Sequence, residues 1–182
     1  MGMQTQNSST RKIVLTALFM AIGMILPFIT MQIPSIGNML LPMHLPIILC
    51  GFLCGGPYGF VAGAVVPLLR SVIFAAPPFM PTAVAMAFEL ATYGLVSGLM
   101  YKRLHDKKWG IYISLISAMI LGRVVWAVVS IGLYSMLGNV FTWKIFVMQA
   151  VANAIPGIIL QLILIPLLVY KLSKQESRKY VC

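Results

Sequence analysis

GIYISLISAMILGRVVWAVVSIGLYSML, residues 110–137, decides the fold. This long apolar run carries a single charge, Arg123, and a membrane-crossing helix needs only about 20 largely apolar residues. Five further segments have the same character: roughly 12–30, 40–56, 58–76, 80–101 and 144–171. The chain as a whole is 60% hydrophobic and 9% charged, whereas soluble domains carry about 25% charged residues. The reading is an all-α integral membrane protein with six transmembrane helices.

The boundaries follow from the breakers. Gly55-Gly56-Pro57 makes a tight, uncharged turn, so helices two and three form an antiparallel hairpin. Pro77, Pro78 and Pro81 stop any helix continuing into the fourth span. The domains expected are a disordered polar N-terminus (1–11), a transmembrane domain (12–172) and a basic tail (173–182). The first apolar segment lacks a small-x-small cleavage site and reads as a retained helix.

Charge sets the orientation. The net charge is +10, yet the basic residues do not alternate with aromatic ones as in a nucleic-acid surface. They cluster as Arg11 and Lys12, then Lys102, Arg103, Lys107 and Lys108, then Lys171, Lys174, Arg178 and Lys179. With six spans all three clusters fall on one side, facing only Lys144 on the other. The positive-inside rule places both termini in the cytoplasm.

Inside the spans lie Arg70, Glu89 and Arg123. A charge in hydrocarbon is expensive, so such residues face a cavity and mark a site. Two fixed positives and one carboxylate leave an excess of +1, which points to a small polar or anionic solute. Glu89 shares a helical face with Tyr93, and Arg123 shares one with Trp126. Gln149, Asn153, the Pro156-Gly157 kink and Gln161 run along helix six. Arg70 lies in the outer half of helix three, and His44 begins helix two near the outer surface. These groups converge on the outer half of the bundle, and a site opening there would serve uptake.

Structural duty is the competing reading: Arg70 snorkelling, Glu89 and Arg123 as a helix lock, and the amides joining helices by hydrogen bonds. Asn153 leans towards the site and Gln161 towards packing. Segment 31–44, which includes Asn38, is long, uncharged and partly apolar. It suits a lid over the cavity or a loop in the headgroup layer.

Two histidines and three cysteines assemble into no triad, disulfide framework or metal set. No catalytic residue, metal or cofactor is expected. A channel would be lined by rings of like residues, and here the polar groups differ between helices.

Helix one carries Ala17 and Ala21, a small-residue stripe that lets another helix approach closely. Together with six helices, cytoplasmic termini, the long first outer loop and the runs Leu41–Pro46, Met80–Leu90 and Pro156–Gln161, this resembles the substrate-binding S component of the energy-coupling factor (ECF) vitamin transporters. The runs are similar to one bacterial branch of that family. The resemblance implies a multi-pass cell-membrane subunit that binds one vitamin near the outer surface with the first loop and helices four to six. It implies docking through Ala17 and Ala21 onto a transmembrane coupling protein carrying two cytoplasmic ATPases. The chain has no G-x-x-x-x-G-K-[ST] loop, in keeping with energy supplied by those partners. The expected site residues are Arg70, Glu89, Arg123, Trp126, Asn153, His44, Tyr93, Gln149 and Asn38. The excess arginine favours a carboxylate such as pantothenate. Pyridoxine-like compounds, niacin, biotin, cobalamin, a queuosine precursor and riboflavin are the alternatives.

Overall fold

A computed structural model describes residues 2–30, 42–105, 107, 109–138 and 155–179. All the regular structure among them is helical: α1 (Gly2–Thr30), α2 (His44–Cys54), α3 (Gly56–Phe74), α4 (Val84–Leu104), α5 (Gly110–Met136) and α6 (Ile155–Lys179). A wide turn of π-helical type, Phe79–Ala83, leads into α4.

Five of these helices contain stretches long and apolar enough to cross a bilayer: Ser9–Phe28, Gly56–Phe74, Phe79–Leu104, Gly110–Met136 and Ile155–Leu172. The second does not. With 11 residues α2 is about 16 Å long, roughly half the hydrocarbon thickness. Prolines explain this departure from the 40–56 span. Pro46 sits in the first turn of α2, where its missing N–H goes unneeded. Continuing the helix upstream would drive the Pro46 ring into the carbonyl of Pro42, so residues 42–43 form a turn instead.

Chain direction still alternates. Near the ends of α1 and α3, Phe28 and Phe74 meet edge to face at 4.7 Å, so those two helices run parallel. Between them α2 returns the other way, and Cys50 Sγ lies 3.7 Å from Thr16 Oγ1 low on α1. Pairing of Glu89 with Arg123, and of Ala85 with Trp126, makes α4 and α5 antiparallel.

The N-terminal segment differs from its sequence reading. Residues 2–10, expected to be disordered, belong to α1. Nothing between Gln4 and Thr10 breaks a helix, so the turn nucleated in the apolar span propagates outwards. At the other end α6 runs on as far as Lys179.

Glycine determines how closely the first half packs. A Cβ on Gly94 would overlap the Gly59 backbone, and one on Gly63 would overlap that of Leu90. Only the absence of side chains lets α3 and α4 touch along their backbones. Gly55 has a different duty: at φ +104° it makes the turn between α2 and α3 with open space around it. The buried core runs through this region, with Ile47, Ile48 and Cys50 of α2 against Ala62 and Val66 of α3, Leu90 and Tyr93 of α4, and Ile165 and Val169 of α6.

Candidate functional site

Glu89 is the hub. It is 2% exposed, and its Oε1 receives three groups from three helices. Tyr93 Oη, one turn along α4, donates to it at 2.8 Å. Arg123 Nη1 of α5 pairs with it at 3.0 Å. His44 Nε2, the first residue of α2, stands 3.8 Å away, too far for a direct hydrogen bond.

Local packing forces this convergence. Tyr93 reaches Glu89 because residues four apart share a helix face. Its ring fits against α5 only because position 122 is glycine; a Cβ there would overlap the ring. That close approach brings Arg123, the next residue, onto the carboxylate. The short α2 supplies the last member by starting at depth, where the His44 ring lies 5.5 Å from the Tyr93 ring. His44, expected near the outer surface, is therefore a core residue and 2% exposed.

Arg123 keeps 19% of its side chain accessible. With Tyr93 it lines a cavity of about 560 Å³ between α5 and α6, walled by Met119, Ile120, Val124, Val128, Ile158 and Leu162 among others. Volumes of this order suit a small ligand, and such sites are mostly apolar with a few placed polar groups. The guanidinium has five N–H donors in a planar fork, more than one carboxylate oxygen can use. A ligand with acceptor oxygens could take the remainder.

Arg70 lies elsewhere. Its Nε donates to the Ala76 carbonyl at 3.0 Å and its Nη1 to the Met24 carbonyl at 2.9 Å, while the guanidinium stacks 5.0 Å from the centre of the Phe28 ring. Next to it, Ser71 Oγ donates to the Pro77 carbonyl at 2.7 Å. These contacts fasten the end of α1 and the α3–α4 link to α3, where proline and a left-handed Ala75 leave carbonyls without helical partners. Of the two interior arginines it is thus Arg123 that pairs with Glu89.

Of the sequence-predicted site residues, Glu89, Arg123, His44 and Tyr93 come together. Trp126 packs with Ala85 in a neighbouring apolar cluster, and Arg70 is apart. Asn38, Gln149 and Asn153 lie outside the described residues, as does most of the 31–44 segment considered as a lid. Gln161, read as a packing residue, is 1% exposed, and its Nε2 has no hydrogen-bond partner among the described residues. Both ring nitrogens of His44 are in the same condition.

The family described as "ECF transporter, substrate-specific component" matches residues 11–169, and the chain belongs to it. No curated protein and no solved structure matches. Family membership makes the chain a multi-pass membrane protein and a substrate-binding subunit of an ECF importer rather than an enzyme. It also implies association with an ECF module of coupling protein and ATPases.

Proposed function

We propose that this subunit captures a small, water-soluble vitamin bearing a carboxylate, of about the size of pantothenate, and holds the carboxylate on Arg123. The observation that carries the reading is a partly accessible guanidinium, anchored at one nitrogen by Glu89, in the wall of a cavity of about 560 Å³. Glu89, itself held by Tyr93, fixes one end of the fork, so little rotamer freedom is lost when a ligand arrives. The apolar walls accommodate an aliphatic body better than a large flat ring, which would want aromatic stacking partners.

A second reading has its own support. Glu89 already neutralises Arg123, so a neutral hydroxylated vitamin of the pyridoxine kind would enter without bringing an unbalanced charge. The chain has no ATPase of its own in this reading. Ala17 and Ala21, exposed on α1 beside Val14, Leu18 and Ile25, offer the flat face on which the coupling protein docks.

Purified protein in mild detergent, screened by native mass spectrometry and by thermal shift against a vitamin panel, tests the proposal. A carboxylate vitamin retained by the parent chain and lost in Arg123→Ala is the expected result. A neutral vitamin bound equally well by both would replace the first reading with the second.

A further inference from the structure

Three buried nitrogens lack hydrogen-bond partners among the described residues: Nδ1 and Nε2 of His44, and Nε2 of Gln161. Buried polar groups are bonded in the great majority of cases, because leaving one unmet costs on the order of 1–3 kcal/mol. Three such atoms in one layer of the core call for a shared cause.

The layer is defined by the neighbours. Ile158 and Leu162 flank Gln161 on α6 and line the same cavity as Tyr93 and Arg123, while Gln161 itself stands one turn before the core residue Ile165. Against α6 packs α2, through Ile165 and Val169 on one side and Ile47 and Ile48 on the other. The first residue of α2 is His44. His44 stands one turn before Ile48 on α2, as Gln161 stands one turn before Ile165 on α6, and His44 is in reach of Glu89 and Tyr93. Tyr93 and Arg123 each have one group on Glu89, and the buried nitrogens without a partner among the described residues sit on His44 and Gln161.

We propose that Gln161 and His44 form the inner end of the substrate site and read an acceptor-bearing group, a carboxylate or carbonyl, that reaches past Arg123. Gln161 is then a specificity-determining residue. This deepens the substrate-binding reading above and rests on it. The Gln161 amide N–H₂ is a donor only, and Arg123 offers only donors, so the ligand atoms facing them are acceptors. His44 can donate from one ring nitrogen and accept on the other, which suits a carboxylic or amide group with both functions.

The test compares the parent chain with Gln161→Met, which keeps length and loses the amide, and with Gln161→Glu, which replaces the donor by a carboxyl. Two readouts are taken on the full chain in detergent: the apparent melting temperature without ligand, and affinity for whichever panel vitamin the parent binds. The inference expects Gln161→Met to melt at or above the parent temperature without ligand, since the unmet Nε2 donor has been removed. It expects affinity to fall about tenfold or more, the usual effect of losing a hydrogen bond to a charged or strongly polar acceptor. Gln161→Glu should bind a carboxylate more weakly still. A fall in the unliganded melting temperature of Gln161→Met would overturn the inference, because the amide would then already be satisfied by a neighbour or a buried water. Equal affinity of parent and Gln161→Met would overturn it too, while leaving the substrate-binding reading intact. Should the parent bind no vitamin in the panel, the substrate reading fails in that form and the unliganded melting comparison still decides whether Gln161 is unmet.

Discussion

Replacing Arg123 with methionine would leave the Glu89 carboxylate, 2% exposed, with a tyrosine hydroxyl at 2.8 Å and a histidine at 3.8 Å as its neighbours. The missing guanidinium supplied the nearest positive charge. Removing one partner of a buried ion pair costs about 3–5 kcal/mol, chiefly because the survivor is desolvated without compensation. Arg123 is 19% exposed and borders an open cavity, so solvent could relieve part of that penalty. The expectation for Arg123→Met is therefore the lower end, about 3 kcal/mol. In a chain of this size that corresponds to a melting temperature lower by roughly 6–12 °C.

Glu89→Gln should be milder, about 1–2 kcal/mol, since the long arginine can turn its fork towards the cavity. The double substitution Glu89→Gln with Arg123→Met removes both charges together. It should lie within about 1 kcal/mol of the parent, because a well-packed neutral replacement of a buried pair is commonly near neutral. The coupling across the cycle is then about 3 kcal/mol and of restoring sign. Thermal unfolding of the four proteins in one detergent, without ligand, measures it. Additive effects in the double variant, or a cost below about 1 kcal/mol for Arg123→Met, would refute the claim that Glu89 depends on Arg123 for compensation.

Three other outcomes follow from particular contacts. Gly94→Ala should destabilise by about 1–3 kcal/mol, since its Cβ meets the Gly59 backbone, whereas Gly132→Ala, with open space around it, should gain about 0.5–1 kcal/mol in helix propensity; paired melting curves give the contrast. Arg70→Met should lower stability by about 1–3 kcal/mol through its lost bonds to Met24 and Ala76 and leave vitamin affinity within about threefold, as titration on the purified variant would show. Ala17→Trp, on the exposed face of α1, should keep stability within about 0.5 kcal/mol and retain vitamin binding, yet abolish uptake in cells that depend on the vitamin; sustained uptake would remove the docking role of that face.

Hydropathy made the class of fold and five of its helices legible, because a span through hydrocarbon tolerates so few charges that composition alone betrays it. It gave no warning about α2. The 40–56 segment is apolar throughout, and a window that sums hydropathy passes over Pro42 and Pro46 without registering that a helix cannot run through both. From that error came the other: a full-length second helix would begin at the outer surface and carry His44 there, whereas a half-length one begins in the core. The close packing of α3 on α4 was written in the chain as Gly59 and Gly63, and again as Gly94 and Gly98, each pair four residues apart. The alanines of α1 share that spacing, yet it is the glycine pairs that bring two helices into backbone contact.

Arg70 and Arg123 show where reading by residue type reaches its end. Each is a lone arginine deep in an apolar helix, and counting charges treats them alike. Their fates divide on what stands opposite. Arg70 lies beside a broken stretch of backbone that follows the left-handed Ala75, and its fork bonds two carbonyls there, that of Ala76 in the break and that of Met24 on α1. Arg123 has a carboxylate opposite it instead of a broken backbone. Glu89 takes part of the fork, and the rest opens on the cavity. The excess positive charge that first suggested an anionic solute is thus shared between a backbone junction and a binding site, and only the second share argues for the ligand. A carboxylate substrate has to be justified by the unspent donors of Arg123 and Gln161, one partly accessible and the other buried, rather than by the arithmetic of the whole interior.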